Sequence, residues 1–66
     1  MNNIRAVNLR QKVSEIMKNY IESELVRKIV ESYLNNEIGI RTALNAIYES
    51  GASVKDVEIA RQAIIH

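Results

Sequence analysis

Apolar positions recur at helical spacing along most of this chain. Leu9, Val13, Ile16, Met17, Tyr20 and Ile21 fall at i, i+3, i+4 and i+7 steps, while Arg10, Gln11, Lys12, Ser14, Glu15, Lys18 and Asn19 fall outside the stripe. This period predicts an amphipathic helix over residues 8–21. Leu25, Val26, Ile29, Val30, Tyr33 and Leu34 predict a second helix over 24–34. At about 100° per residue its apolar residues cover half of the circumference, more than a surface helix needs. That width fits a central helix packed on two neighbours, or a helix with part of its face on another chain. Ile40, Ala43, Leu44, Ile47 and Tyr48 predict a third helix over 40–50. Val54, Val57, Ala60, Ile64 and Ile65 predict a fourth over 54–65, with Ile59 nearly opposite that face, as an isolated exposed residue or a second contact surface. Residues 1–7 show no clear pattern and are expected to form an arm, an extra turn or a frayed end.

The boundaries differ in how clearly they are marked. Asn35-Asn36 is a stop, because Asn tolerates the left-handed conformation that ends helices, and Gly51 occupies the place of a C′ glycine. Ser53 with Asp56 three residues on is a capping box with Asp in place of Glu. The break between the first two helices has no Gly or Pro. If residues 8–34 formed one straight helix, its two apolar stripes would lie roughly 200° apart. Either the chain breaks near 21–23, where Ser23 is an N-cap and Glu24 suits the helix dipole, or a long helix packs one half on its own chain and the other on a partner.

Composition then limits the core. The chain has 66 residues, 47% apolar and 26% charged, with no Cys, Pro, Trp or Phe. Such a chain folds as one small domain, without a disulfide or thiolate metal site to staple it. A lone core of this size seldom supplies more than about 3–5 kcal/mol. The expectation is an all-α bundle of three or four short helices, completed by dimerisation. The apolar runs are too short to span a bilayer, and an N-terminus without an apolar h-region predicts no signal peptide, which favours an intracellular chain.

The chemistry of catalysis is scarce. The single His is His66, the single Asp is Asp56, and Gly39 and Gly51 stand too far apart for a phosphate loop. Glu22, Glu24 and Glu31 have no His among them to complete a zinc helix. We therefore expect no enzyme, no cofactor, no metal site and no small-molecule substrate.

Net charge is +1, unevenly spread. Arg5, Arg10, Lys12 and Lys18 against Glu15 make residues 1–20 basic, while Glu22, Glu24, Glu31 and Glu37 against Arg27 and Lys28 make 21–37 acidic. The four basic residues are the candidate nucleic-acid contacts; they equally suit a solvated helix face or half of a complementary dimer contact. Helices three and four around Gly51 have helix-turn-helix spacing, but Asp56 and Glu58 sit where the reading helix would meet phosphates. The stretch ESELVRKIVESYL, Glu22–Leu34, resembles the second helix of ribbon-helix-helix repressors. It departs from them upstream, where a strand around 4–9 leaves too little chain for the usual first helix and no Gly marks the turn. A membrane-surface helix needs a strongly basic polar face, which no segment has.

Tyr20, Tyr33 and Tyr48 lie on apolar stripes, and Tyr is enriched at protein interfaces. The sequence therefore predicts a non-catalytic helical interaction module, an accessory or regulatory factor that forms a homodimer and binds a macromolecular partner through an apolar helix face. Leu25, Val26, Ile29, Val30, Tyr33, Leu34 and Ile59 are the candidate interface residues. The alternative is a DNA-binding transcriptional regulator using the basic N-terminal segment.

Overall fold

The computed structural model of the chain describes residues 12–65. Among these residues the fold is all-helical, with no strand. Helix α1 occupies 12–18, α2 Glu24–Leu34, α3 Ile40–Glu49 and α4 Val54–Ile65. The three later helices each pack on the other two. The core between them is Ile21, Val26, Val30, Ala43, Ile47, Ala60, Ala63 and Ile64, with Met17, Ile29, Tyr33, Leu34, Leu44, Val57 and Ile59 packed partly buried against it. The predicted arm over residues 1–7 lies outside the described residues, as does the start of the first predicted helix.

Residues 12–34 form two helices. The last turn of α1 tightens: the N–H groups of Asn19, Tyr20 and Ile21 donate to the carbonyls of Ile16, Met17 and Lys18 at 3.0–3.1 Å, each three residues back. The first helix thus ends at 18, three residues short of the predicted 21. Residues 21–23 belong to no helix. Ser23 takes β-region angles (φ −72°, ψ 120°) and its Oγ accepts the Val26 N–H, as an N-cap does. At the other end of α2, Asn36 adopts φ 63°. The Asn36 N–H donates to Tyr33 O and the Glu37 N–H to Ser32 O, the paired bonds of a Schellman cap. Helix α3 follows its N-cap Gly39 and ends at Glu49, one residue short of the predicted 50, and at the C-cap the Ser50 Oγ–H donates to Ile47 O at 2.6 Å. Gly51 follows at φ 75°, a conformation that disfavours any residue with a Cβ.

Two faces depart from the sequence pattern. In α1 Ser14 is buried and Met17 half-buried while Val13 and Ile16 are exposed, and just past its end Tyr20 is exposed and Ile21 buried. Ser14 and Met17 are three residues apart, so they share one side of the helix. Ser14 is drawn in because its Oγ–H donates to the Ala63 carbonyl at 2.9 Å. That carbonyl belongs to the last turn of α4, where the helix itself supplies no partner. The hydroxyl, together with Met17, turns this side of α1 to the bundle and leaves Val13 and Ile16 outside.

In α4 the inward residues are Asp56, Ala60, Ala63 and Ile64. Val54, expected on the apolar face, is 81% exposed, and Ile65 also faces solvent. Ile59, expected opposite, is half-buried against the core. The cause is Asp56, which turns inward so that its carboxylate meets the junction between α1 and α2. Its Oδ1 accepts the Glu22 N–H at 3.0 Å and its Oδ2 the Ser23 N–H at 2.9 Å. Only half of the predicted capping box forms as a result. Ser53 Oγ accepts the Asp56 N–H at 3.2 Å, but the carboxylate reaches across the bundle instead of back to Ser53.

Candidate functional site

The outward face of α1 is the feature with most to explain. Ile16 is 57% exposed, Tyr20 67%, and Val13 stands beside them at one turn's spacing. A large apolar side chain on a surface is ordinary when it stands singly. Here Val13 and Ile16 share one face of α1, Tyr20 follows exposed in the turn just after it, and the neighbouring face of the helix buries the Ser14 hydroxyl. The face is flanked by exposed Lys12 and Asn19, with Glu15 on the far side.

The candidate interface residues on α2 are divided. Val26 and Val30 are fully buried inside the chain's own core. Ile29, Tyr33 and Leu34 are half-buried against that core, as is Ile59 on α4. Leu25 alone of the group is more than half exposed. The wide apolar face of α2 therefore serves first to hold α3 and α4.

Of the candidate nucleic-acid contacts, Arg5 and Arg10 lie outside the described residues. Lys12 is exposed. Lys18 is mostly covered, and its Nζ lies 3.3 Å from Glu31 Oε2. This pair crosses an open depression of about 300 Å³ lined by Lys18, Asn19, Glu24, Arg27, Lys28 and Glu31. Three cations and two carboxylates share its walls, so it presents no single sign of charge to a ligand. Near the start of α4, Lys55 pairs with Glu22 at 3.5 Å, and further along the helix Arg61 pairs with Glu58 at 2.8 Å. Both pairs are exposed and contribute little to stability.

The polar groups inside the bundle are structural in their contacts. The Asp56 side chain is occupied by two backbone N–H groups and Ser14 by one carbonyl, and no buried side-chain polar atom among the described residues lacks a partner. Among the described residues no three His, Cys, Asp or Glu side chains gather as a metal site, and no helix is long and apolar enough to cross a membrane.

Periodicity misassigned Ser14 and Asp56 because it ranks residues by hydropathy, and both are polar. A signal was nevertheless present for Asp56. It stands four residues before Ala60 and seven before Ala63, so a wheel centred on the two small residues places it on the same side. Ser14 had no such signal, since its partner is a main-chain carbonyl 49 residues away. Compared with known proteins, the chain matches no family model, no curated protein and no solved structure.

Proposed function

We propose that this chain is a non-catalytic helical interaction module, an accessory or regulatory factor that binds a macromolecular partner through the outward face of α1. The observation that carries this reading is the facing of α1, with Ser14 turned in, Val13 and Ile16 turned out, and Tyr20 exposed in the turn that follows. An aligned apolar face in water is stabilised when a partner covers it, by about 25 cal/mol for each Å² removed from solvent. Tyr20 adds a residue type favoured at interfaces, with an apolar ring and a polar tip. Three helices around a small core provide the rigid support on which such a face is presented.

The test is capture from native lysate with the immobilised full chain, with and without nuclease, comparing wild type and Ile16→Glu. The reading expects a protein band that survives nuclease and is lost with Ile16→Glu. Retention that depends on nucleic acid, with duplex affinity falling steeply between about 50 and 200 mM salt, replaces it with the DNA-binding reading. Identical capture by wild type and Ile16→Glu removes α1 as the binding face.

A further inference from the structure

The junction between α1 and α2 is held by contacts that come from elsewhere in the chain. Residues 19–23 contain no Gly and no Pro. Their helical hydrogen bonds are interrupted where the Glu22 and Ser23 N–H groups donate to the Asp56 carboxylate instead of to carbonyls of α1. If those two N–H groups turned back to the carbonyls four residues before them, residues 12–34 would run as one helix. The inward residues would then part company. Along a straight helix Val26 falls about 140° from Ile21, and Val30 about 180°. The face of α1 that now covers α4 would point away from its own α3 and α4, and only a second copy of the chain could receive it.

We infer that the Asn19–Ser23 junction is a hinge on which α1 exchanges between its own α4 and the α4 of a second copy, giving a closed monomer and a domain-swapped dimer. The partner's surface is already defined, because it is the one α1 occupies in the closed chain: the Ala63 carbonyl that accepts from Ser14, and the core on which Met17 and Ile21 rest. The swapped form reuses these contacts, so it differs from the closed form chiefly at the hinge. Asp56 is the device that favours closure. Its carboxylate has two donors in the bent chain and loses both when the helix straightens. The inference concerns the inward face of α1, so it stands apart from any partner bound at the outward face.

Two substitutions separate the forms. Asp56→Asn weakens the clasp, since an amide offers one acceptor oxygen where the carboxylate offers two. Glu24→Pro acts on the straight form alone. Residue 24 is the first of α2, a position where Pro is at home. Ser23 before it already holds the extended angles that a following Pro requires. Inside a continuous helix the same Pro removes a hydrogen bond and clashes with the preceding turn.

Sedimentation equilibrium and circular dichroism of the full chain are the readouts. For Asp56→Asn the expected result is a helical protein whose dimer, near twice 7.5 kDa, forms with an association constant raised at least about tenfold. Adding Glu24→Pro should return it to a helical monomer. A helical Asp56→Asn chain that associates no more than wild type overturns the inference, as does a dimer that Glu24→Pro leaves intact. If Asp56→Asn unfolds, the comparison moves to wild type against Glu24→Pro at high concentration. A wild-type dimer abolished by Glu24→Pro supports the hinge, and equal masses overturn it. A dimer formed through the outward face is told apart by its loss with Ile16→Glu and its indifference to Glu24→Pro.

Discussion

Asp56 and Ser14 show how single polar residues orient elements in a small bundle. Asp56 is 4% exposed, and its two carboxylate oxygens accept the N–H groups of Glu22 and Ser23, just before α2. Hydrogen bonds to a charged acceptor contribute about 1.5–3 kcal/mol each, and an unsatisfied buried N–H costs more than the bond alone. Asp56→Ala is therefore expected to lower the stability of the closed chain by about 3 kcal/mol, read as a fall in the urea midpoint. Ser14→Ala leaves the Ala63 carbonyl without its donor and should cost about 1–2 kcal/mol. The neighbouring Ile16→Ser, on the outward face, should stay within about 0.5 kcal/mol of wild type. If Ile16→Ser costs more than Ser14→Ala in urea denaturation, the orientation of α1 described above is wrong.

At the scale of elements, helix ends were legible in proportion to how local their chemistry is. Asn36 and Gly51 both carry positive φ, and both were readable as stops because few residue types enter that region without cost. A Cβ added at Gly51 meets nothing within 4 Å, so its penalty is one of backbone conformation and not of collision. Gly51→Ala should lose about 1 kcal/mol on this account. Asn36→Gly should keep or gain stability, since Gly pays no Cβ penalty at C′. Differential scanning calorimetry checks both. Faces were less legible than ends. The stripes of α2 and α3 gave Val26, Val30, Ala43 and Ile47, all buried. Those of α1 and α4 were displaced around their axes by the bonds of Ser14 and Asp56.

For the molecule as a whole, the core is small. Val26, Val30 and Ile47 are the largest fully buried side chains, and three other core residues are alanines. Burying a Val or Ile is worth roughly 1.5–3 kcal/mol, a large share of what a domain of this size retains. Val30→Asp places an unpaired charge in that core and should abolish the helical circular dichroism signal at 25 °C. Ile16→Glu should leave it unchanged. Loss of signal in both, or in neither, contradicts the division of the apolar residues between core and surface. Five β-branched aliphatics, Val13, Ile16, Ile40, Val54 and Ile65, remain substantially exposed. The single chain thus leaves unburied part of the apolar surface that its composition supplies.

Periodicity and cap chemistry by themselves determined the helical class, the four segments, and the stops at Asn36 and Gly51, because these depend on neighbours within a turn or two. They also raised the alternative of one helix or two across 8–34 without deciding it, since no residue between Lys18 and Ser23 breaks a helix unaided. The tertiary structure decided that point and the facing of α1 and α4, through one carboxylate and one hydroxyl acting on backbone groups over thirty residues away. The physical reason is that a hydrophobic stripe is written in side chains, whereas the partners of Asp56 and Ser14 are main-chain N–H and C=O groups. Every residue carries those groups alike, so only their position in space singles them out.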